Sequence, residues 1–194
     1  MVKKKLSRQP QRFVSARVLQ NTARVMYPFY RAIACHKKYA ERWSKAVITT
    51  DLDKMARLLI KVSPRAKGLS LGSNGIGYFV GFPVKHPYLE FSSGTTIIPG
   101  TTQFTFNPRI HQAIARAVLP FYYKLAKDRS FAVSLSDAVR SGNEKLVRHL
   151  IRSFVRTPAL ISVKMDLDGP GISLNFKYKS TKYTYRNLLF IDQT

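Results

Sequence analysis

Hydrophobic and polar positions follow two periods along the chain, first helical and then extended, and this order occurs twice. Apolar residues recur every three to four positions over about residues 15–65 and again over about residues 107–156, which is typical of amphipathic helices. Short runs with alternating apolar and polar residues follow each helical stretch, as expected of half-buried strands. The pattern predicts an α+β fold built from helices and then a small antiparallel sheet.

Capping residues and a shared proline indicate where the helices begin and bend. Asn107 and Pro108 form an N-cap with proline at the first helical position, and Ser15 takes the matching place in the first stretch. Pro28 and Pro120 lie inside these first helices, where we expect a kink or a break. Two further helices should follow in each stretch. The last of them is predicted to start with a capping box, Thr50-Asp51-Leu52-Asp53 in one stretch and Ser141-Gly142-Asn143-Glu144 in the other.

Three strands are predicted after each set of helices. Glycine, asparagine and serine clusters such as Ser73-Asn74-Gly75 separate the alternating runs and favour turns. A tight two-residue turn is expected at Ser180-Thr181. The predicted strands are residues 68–71, 76–82 and 88–98, and then residues 160–167, 172–178 and 183–190.

The two stretches are also similar residue by residue. Shifting the chain by 92 positions places residues 15–47 over residues 107–139, and 12 of these 33 pairs are identical. Chance would give roughly two identities for ordinary composition. The identical pairs include Arg17/Arg109, Gln20/Gln112, Ala23/Ala115, Arg24/Arg116, Ala46-Val47/Ala138-Val139 and the run Pro28-Phe29-Tyr30 over Pro120-Phe121-Tyr122. We interpret the chain as a tandem duplication, with a basic arm at 1–14 and units at 15–102 and 103–194 that pack as one body about a pseudo-twofold axis.

The similarity continues after one deletion, at a shift of 91 positions. Residues 50–65 then lie over residues 141–156 with 5 identities in 16 pairs. In this alignment two sets of cations correspond, and each set recurs at helical spacing along one face of the third helix. The sets are Lys54, Arg57, Lys61 and Arg65 in the first unit, and Lys145, Arg148, Arg152 and Arg156 in the second.

Charge is the property that departs most from an ordinary globular protein. The 194 residues include 33 Lys and Arg against 10 Asp and Glu, a net charge of +23, while 45% of the residues are hydrophobic. A folded chain with such an excess usually has a polyanionic partner, for example DNA, RNA, an anionic membrane or a wall polymer. The sequence shows no acidic residue within the basic stripes, so helical ion pairs do not explain them. We therefore predict that the stripes bind nucleic acid.

A second candidate surface is the last hairpin. With a turn at Ser180-Thr181, one face of the hairpin is polar and basic, and the opposite face carries the aromatic residues Phe176, Tyr178, Tyr183 and Tyr185. The N-terminal arm is a third candidate, because basic arms can follow phosphates. The predicted contacts are Lys177, Lys179, Lys182 and Arg186 on the hairpin, which also holds Asn175 and Thr184, and Lys3, Lys4 and Lys5 on the arm.

No pattern of catalytic or metal-binding residues stands out. Gly72-Ser73-Asn74-Gly75-Ile76-Gly77 precedes a strand, whereas a phosphate-binding loop precedes a helix. The four histidines are scattered, and Cys35 is a single cysteine, so neither zinc-ligand spacing nor an internal disulfide is expected. We therefore predict a protein without enzymatic activity, cofactor or metal.

The function predicted from sequence is sequence-tolerant binding of nucleic acid in the cytoplasm, or packaged together with nucleic acid. One alternative is a structural protein of a virion or spore layer that docks on acidic protein partners. The other is binding to an anionic membrane surface or wall polymer through basic amphipathic helices. No transmembrane segment is expected, because no run of about 18 apolar residues occurs.

Overall fold

The computed structural model describes residues 15–84, 89–100, 104–165 and 171–193, and in these ranges the chain forms one layer of helices and one antiparallel sheet. The predicted α+β class is confirmed. The arm at 1–14, with Lys3, Lys4 and Lys5, lies outside the described residues. The helices are α1 Ala16–Cys35, α2 Lys37–Ile48, α3 Leu52–Val62, α4 Pro108–Lys127, α5 Arg129–Arg140 and α6 Glu144–Arg152. The strands are β1 Ser70–Ser73, β2 Gly77–Pro83, β3 Leu89–Ile97, β4 Leu160–Met165, β5 Ile172–Lys177 and β6 Thr184–Gln193.

The long helices α1 and α4 begin where their capping residues predict. The Ser15 hydroxyl accepts a hydrogen bond from the Val18 backbone at 3.3 Å, and the Asn107 side chain caps α4 in the same way. Both helices continue through their prolines, Pro28 and Pro120, so a break at these positions, one of the two predicted outcomes, does not occur. Pro28 is half-buried and Pro120 is exposed, so neither proline lies on the fully buried side of its helix.

The helices α3 and α6 begin at other residues than the predicted capping boxes. Asp51 accepts a hydrogen bond from the Lys54 backbone at 2.9 Å, and Asn143 accepts one from the Leu146 backbone at 3.0 Å, so these two residues are the N-caps. Thr50 precedes Asp51, the N-cap of α3, and has a φ of 51°. This left-handed conformation differs from the extended conformation of an N-cap residue, so Thr50 is not the N-cap. The Ser141 hydroxyl donates instead to the carbonyl of Ala138 in the preceding helix.

The register of these third helices also differs from the alignment at a shift of 91 positions. Thr50 and Gly142, which both have positive φ, are 92 positions apart, and so are the caps Asp51 and Asn143. The buried residues agree, since Met55 and Leu59 in α3 correspond at this spacing to Val147 and Ile151 in α6. The one-residue deletion is therefore a wrong inference, drawn from five coincident side chains.

The sheet has the strand order β1-β2-β3-β6-β5-β4, so two three-stranded meanders meet along β3 and β6. The pairs run from Leu89 with Gln193 to Ile97 with Tyr185, and Thr95 pairs with Asn187 two residues from the middle pair, Ser93 with Leu189. Each predicted strand is present, with ends that differ by a few residues from the predicted ends.

One face of the sheet packs against the helices and forms the core. On β2, Tyr78, Val80 and Phe82 are buried, whereas Phe79 between Tyr78 and Val80 points to the other face and is half-buried. A Cβ atom at Gly94 would overlap the Tyr78 carbonyl oxygen and lie 3.0 Å from the Phe79 Cα. The close approach of β2 and β3 therefore requires glycine at this position.

Candidate functional site: a basic ridge on the paired long helices

The helices α1 and α4 pack against each other in antiparallel orientation with reciprocal contacts. Arg24 Nε donates to the Ala126 carbonyl at 3.4 Å, and Arg116 Nη1 donates to the Ala34 carbonyl at 3.1 Å. Both the two arginines and the two alanines are 92 positions apart, so each helix makes the same contact with the other. Such exchange of equivalent contacts is the property of a twofold interface.

The solvent side of this helix pair carries a row of cations without any carboxylate. Neither α1 nor α4 contains an Asp or Glu residue. On α1 the exposed cations are spaced seven residues apart. On α4 two exposed cations occupy the positions that correspond to the first two on α1, and a third lies near the end of the helix. We call this set the central ridge, and its members are Arg17, Arg24, Arg31, Arg109, Arg116 and Lys127.

Two tyrosine rings cross the boundary between the helices. The ring centroids of Tyr27 and Tyr123 are 5.3 Å apart, and half of the Tyr123 surface is exposed. Aromatic rings beside cations are common in nucleic-acid sites, because a base can stack on the ring while a cation contacts the backbone. The ridge therefore offers both kinds of contact.

The charges of the ridge are oriented without being neutralised. Arg24 and Arg116 bind backbone carbonyls, which carry no net charge, and within the described ranges no ridge cation lies within ion-pair distance of a carboxylate. Arg17 and Arg109 each occupy the first turn of a long helix, where the helix dipole makes a positive charge unfavourable. Folding stability alone does not favour arginine at these two positions.

A neighbouring lysine differs from the ridge cations. Lys124 binds Asp128 at 2.5 Å, and this contact holds the pKa of the Asp128 carboxyl well below its usual range. We therefore leave Lys124 out of the ridge.

The predicted stripes are mostly exposed, but they do not lie together. The prediction that all eight cations lie on the third helices is wrong for Arg65 and Arg156, because α3 ends at Val62 and α6 ends at Arg152. Helix α3 packs beside β1 and helix α6 beside β4, which are the two edge strands of the sheet. Five strand spacings of about 4.8 Å therefore separate the ends that the two helices cover. Lys54 is half-buried, and the exposed members are Arg57, Lys61, Arg65, Lys145, Arg148, Arg152 and Arg156.

The stripes also fail to match each other around their helices. The buried residues of α3 and α6 correspond at a shift of 92 positions, whereas the cations were matched at a shift of 91. Relative to the buried side, each cation on α6 is therefore about 100° around the helix from the position of its partner on α3. Arg148 additionally forms an ion pair with Glu144 at 3.2 Å, so the expectation of a stripe without ion pairs is wrong at this position.

The last hairpin has the predicted register but a different turn. Lys177 pairs with Thr184 and Asn175 pairs with Arg186, as expected. The turn is closed by a hydrogen bond from the Thr181 backbone to the Tyr178 carbonyl at 3.2 Å, so it is centred one residue before the predicted one. The pairing ends at Lys177 and Thr184, and Lys179 and Lys182 consequently lie in the connecting loop as exposed side chains.

The two faces of the hairpin are less distinct than predicted. Phe176 and Tyr185 are fully buried on the core face, as expected. On the opposite face, Asn175 is 6% exposed, and the Nε atom of Arg186 is buried without a hydrogen-bond partner. Arg186 is therefore less accessible to a ligand than the lysines of the loop.

A polar cluster in the core has groups found in active sites but no access to solvent. The His111 ring nitrogen Nε2 lies 2.9 Å from the Tyr78 hydroxyl, and both side chains are 0% exposed. Burial lowers the pKa of His111 to about 3, so the ring is neutral in the folded protein. We interpret the cluster as a structural network that connects sheet and helices.

Protonation of His111 gives a testable dependence of stability on pH. The folded pKa lies below the ordinary value of about 6.5, so the unfolded chain binds a proton more readily and stability falls as pH decreases below that value. Between pH 7 and pH 5 we expect a loss of about 2 kcal/mol in the free energy of unfolding, measured by urea denaturation. In His111→Gln, which does not titrate, most of this loss should vanish. An equal loss in the variant would contradict the assignment.

The arginines of the ridge could have been found from the sequence, although the sequence analysis selected the stripes of the third helices instead. Arg17/Arg109 and Arg24/Arg116 are identical pairs in the repeat, and they lie seven residues apart in segments without acidic residues. A seven-residue spacing returns to nearly the same side of a helix, so these arginines share one face.

Comparison with known proteins identifies no relative: no family model, curated protein or solved structure matches this chain significantly. Among the described residues, no group of three or more His, Cys, Asp or Glu side chains could hold a metal ion. None of the helices in these ranges combines the length and the apolar character needed to span a bilayer.

Proposed function

We propose that this chain binds nucleic acid without strong sequence preference and without catalysis, and that the central ridge is its main contact surface. The observation that carries the proposal is the row of six exposed cations on two helices that contain no carboxylate. Seven residues of helix span about 10.5 Å, so successive cations on α1 can reach separate phosphates. Contacts of this kind hold the backbone and do not read bases.

We also propose that the chain arose by tandem duplication and that its halves are related by a pseudo-twofold axis. Support comes from the helix lengths, since α1 and α4 each have 20 residues and α2 and α5 each have 12. The symmetric strand order and the reciprocal Arg24 and Arg116 contacts point the same way. Duplication would present the same cations twice to one extended ligand.

The stripe residues on the helices α3 and α6 themselves have a secondary place in this proposal. These helices lie at the two ends of the helical layer, so Arg57, Lys61, Lys145, Arg148 and Arg152 can contact a long ligand only beyond the ridge. The same holds for Lys179 and Lys182 in the loop of the last hairpin.

A salt-dependent titration tests the proposal. A fluorescent 20-base-pair duplex of mixed sequence is titrated with the protein between 50 and 300 mM NaCl. If four or more ridge cations contact phosphates, log K should fall against log salt with a slope of about −3.6 or steeper. Absence of binding at 50 mM NaCl, or a slope near zero, would refute nucleic-acid binding.

Two competitors separate the proposal from the other partners predicted by charge. Polyglutamate represents an acidic protein surface, and vesicles with anionic lipids represent a membrane. Concentrations are expressed as moles of negative charge, so that the competitors can be compared. We expect unlabelled duplex to displace the labelled duplex at a lower concentration than either polyglutamate or vesicles. Stronger displacement by polyglutamate would favour an assembly protein, and stronger displacement by vesicles would favour a membrane-surface protein.

A further inference from the structure

A groove lies at one flank of the ridge, between α1 and the segment that follows α3. It has a volume of about 420 Å³, and its polar groups include Asn21, Arg24 and Arg65. Arg65 is exposed and, in the described part of the chain, has no hydrogen-bond or ion-pair partner. Apolar residues such as Leu69 and Phe82 form the rest of the wall, and no carboxylate lines the groove.

A second groove of about 420 Å³ lies between α4 and the end of α6. It is lined by Arg116, Pro120, Phe154 and Arg156, again without a carboxylate. Each groove thus combines one arginine of the ridge with one arginine that follows a third helix. Lys124 lies 6.0 Å from the centre of the Phe154 ring and adds a further cation at this side, although it is already bound to Asp128.

The two grooves share a corresponding pair of arginines on the long helices. Arg24 and Arg116 are 92 positions apart. The end of β2, at Phe82, lines the first groove together with Arg24, and the residue after β5 lies near Arg116. This second neighbour is Tyr178: burial raises its pKa to about 12, and the nearby charge of Arg116 opposes the rise.

Three of the four arginines in the grooves, Arg24, Arg116 and Arg156, are held in place by carbonyl groups but keep donors for a ligand. Arg24 uses only Nε, and Arg116 uses only Nη1, in their bonds to helix carbonyls. Arg156 Nε donates to the Ser153 carbonyl at 3.0 Å, which leaves both of its terminal nitrogens available. Guanidinium groups fixed in this way bind phosphate oxygens with little loss of conformational entropy.

We propose that each groove is a phosphate-binding site, in which Arg24 with Arg65, and Arg116 with Arg156, clamp one phosphodiester group of the bound nucleic acid. The inference rests on the proposed function and specifies where its strongest backbone contacts lie. Arg24 contacts Ala126, ten residues beyond Arg116 on α4, so the two sites are offset by about 15 Å along the helix axis. One continuous nucleic acid can therefore occupy both grooves.

The test compares groove arginines with matched arginines outside the grooves. Arg65→Gln and Arg156→Gln are made singly and together, and Arg57→Gln with Arg152→Gln serves as the control. Arg57 matches Arg65 as an exposed arginine without a partner, and Arg152 matches Arg156 because it donates only to a carbonyl, that of Leu160 at 3.2 Å. Both double variants lose two charges.

Binding of the 20-base-pair duplex is measured against salt for every variant. Each groove substitution should make the slope less steep by about 0.9 and weaken binding about eightfold at 0.1 M salt. In the double variant the two slope changes should add, and the two eightfold factors should multiply. The control pair should change the slope by less than about half as much as the groove pair. Equal effects of both pairs would overturn the grooves as sites, whereas failure of the wild-type protein to bind would overturn the proposed function.

A second measurement does not depend on nucleic acid. Inorganic phosphate is titrated into ¹⁵N-labelled protein while the arginine Nε–H resonances are recorded. We expect saturable shifts for Arg65 and Arg156 and small, linear shifts for Arg57 and Arg152. Linear shifts for all four arginines would contradict preformed phosphate sites even if the duplex binds.

Discussion

Replacement of Arg17, Arg24, Arg109 and Arg116 by glutamine should weaken binding of duplex DNA on the order of a thousandfold at 0.1 M salt. Each lost phosphate contact removes about 0.9 from the salt slope, so the variant should bind with a slope less steep by about 3.6. The titration used for the wild-type protein measures both quantities. The expected loss is large because these four arginines lie at matching positions of α1 and α4, and neither helix contains a carboxylate that would reduce their charge.

The matched control removes the same number of charges from the predicted stripes. It replaces Arg57, Lys61, Lys145 and Arg152, all of which are exposed on α3 and α6. A smaller loss is expected, because these residues lie at the two ends of the helical layer. If the control variant loses more affinity than the ridge variant, the stripes predicted from sequence are the site and the ridge is not.

The ridge variant should remain folded, which keeps the comparison interpretable. Removal of Arg17 and Arg109 relieves unfavourable charges at helix N-termini, worth about 0.3–1 kcal/mol each. Loss of the carbonyl bonds of Arg24 and Arg116 costs about 1 kcal/mol each. The net change in the free energy of unfolding is therefore small, and thermal denaturation followed by circular dichroism checks it.

Substitution of Asn187 by alanine should destabilise the protein by about 3–5 kcal/mol. Asn187 is 0% exposed and pairs with Thr95 within the junction between β3 and β6. Its amide nitrogen donates to the Tyr30 hydroxyl at 2.7 Å and to Gly94 and Thr95, and its oxygen accepts from the Tyr122 hydroxyl at 3.1 Å. Alanine leaves several of these buried groups without partners in a place that water cannot enter.

The matched control for this prediction is Asn175→Ala on the neighbouring strand. Asn175 is also buried, but it contacts only Ser162 and Ser173, at 2.9 and 3.2 Å, on the face of the sheet away from the helices. There water can replace the lost bonds, so the cost should be about 1 kcal/mol. Chemical denaturation measures both variants, and a loss for Asn187→Ala no greater than for Asn175→Ala would show that the central network contributes little.

Asn187 also connects the ridge to the sheet. Tyr30 belongs to α1 and Tyr122 to α4, and their ring centroids are 4.8 Å apart beneath the ridge. One asparagine therefore bonds to both long helices from the centre of the sheet. These bonds add to the direct packing of α1 on α4, which sets the spacing of the ridge cations.

The local elements could be predicted from the sequence with good agreement. Ser15 and Asn107 cap the helices that they were expected to cap, and the alternating runs became strands. These features depend on interactions between residues a few positions apart, and the sequence contains such interactions directly. The hairpin register was also predictable, because Lys177 and Thr184 follow from a short connection.

Errors occurred where similar residue types recur at helical spacing. The five identities at a shift of 91 positions paired Arg57 with Arg148, although the caps Asp51 and Asn143 place α3 and α6 in register at 92. A slip by one residue turns a helix by about 100°, so it changes the assignment of every face. Side-chain identity alone could not reveal the slip, because the buried side of a short helix is defined by its neighbours.

The sequence by itself determined the class of fold, the positions of most helices and strands and the excess of positive charge, because these depend on composition and on local periodicity. Only the tertiary structure decided which cations lie together. The packing of α1 on α4 brings Arg17, Arg24 and Arg31 into one surface with Arg109 and Arg116. Helices α3 and α6, in contrast, lie at opposite edges of the sheet. A binding surface is a property of neighbouring side chains, and here those neighbours come from helices about ninety residues apart in the chain.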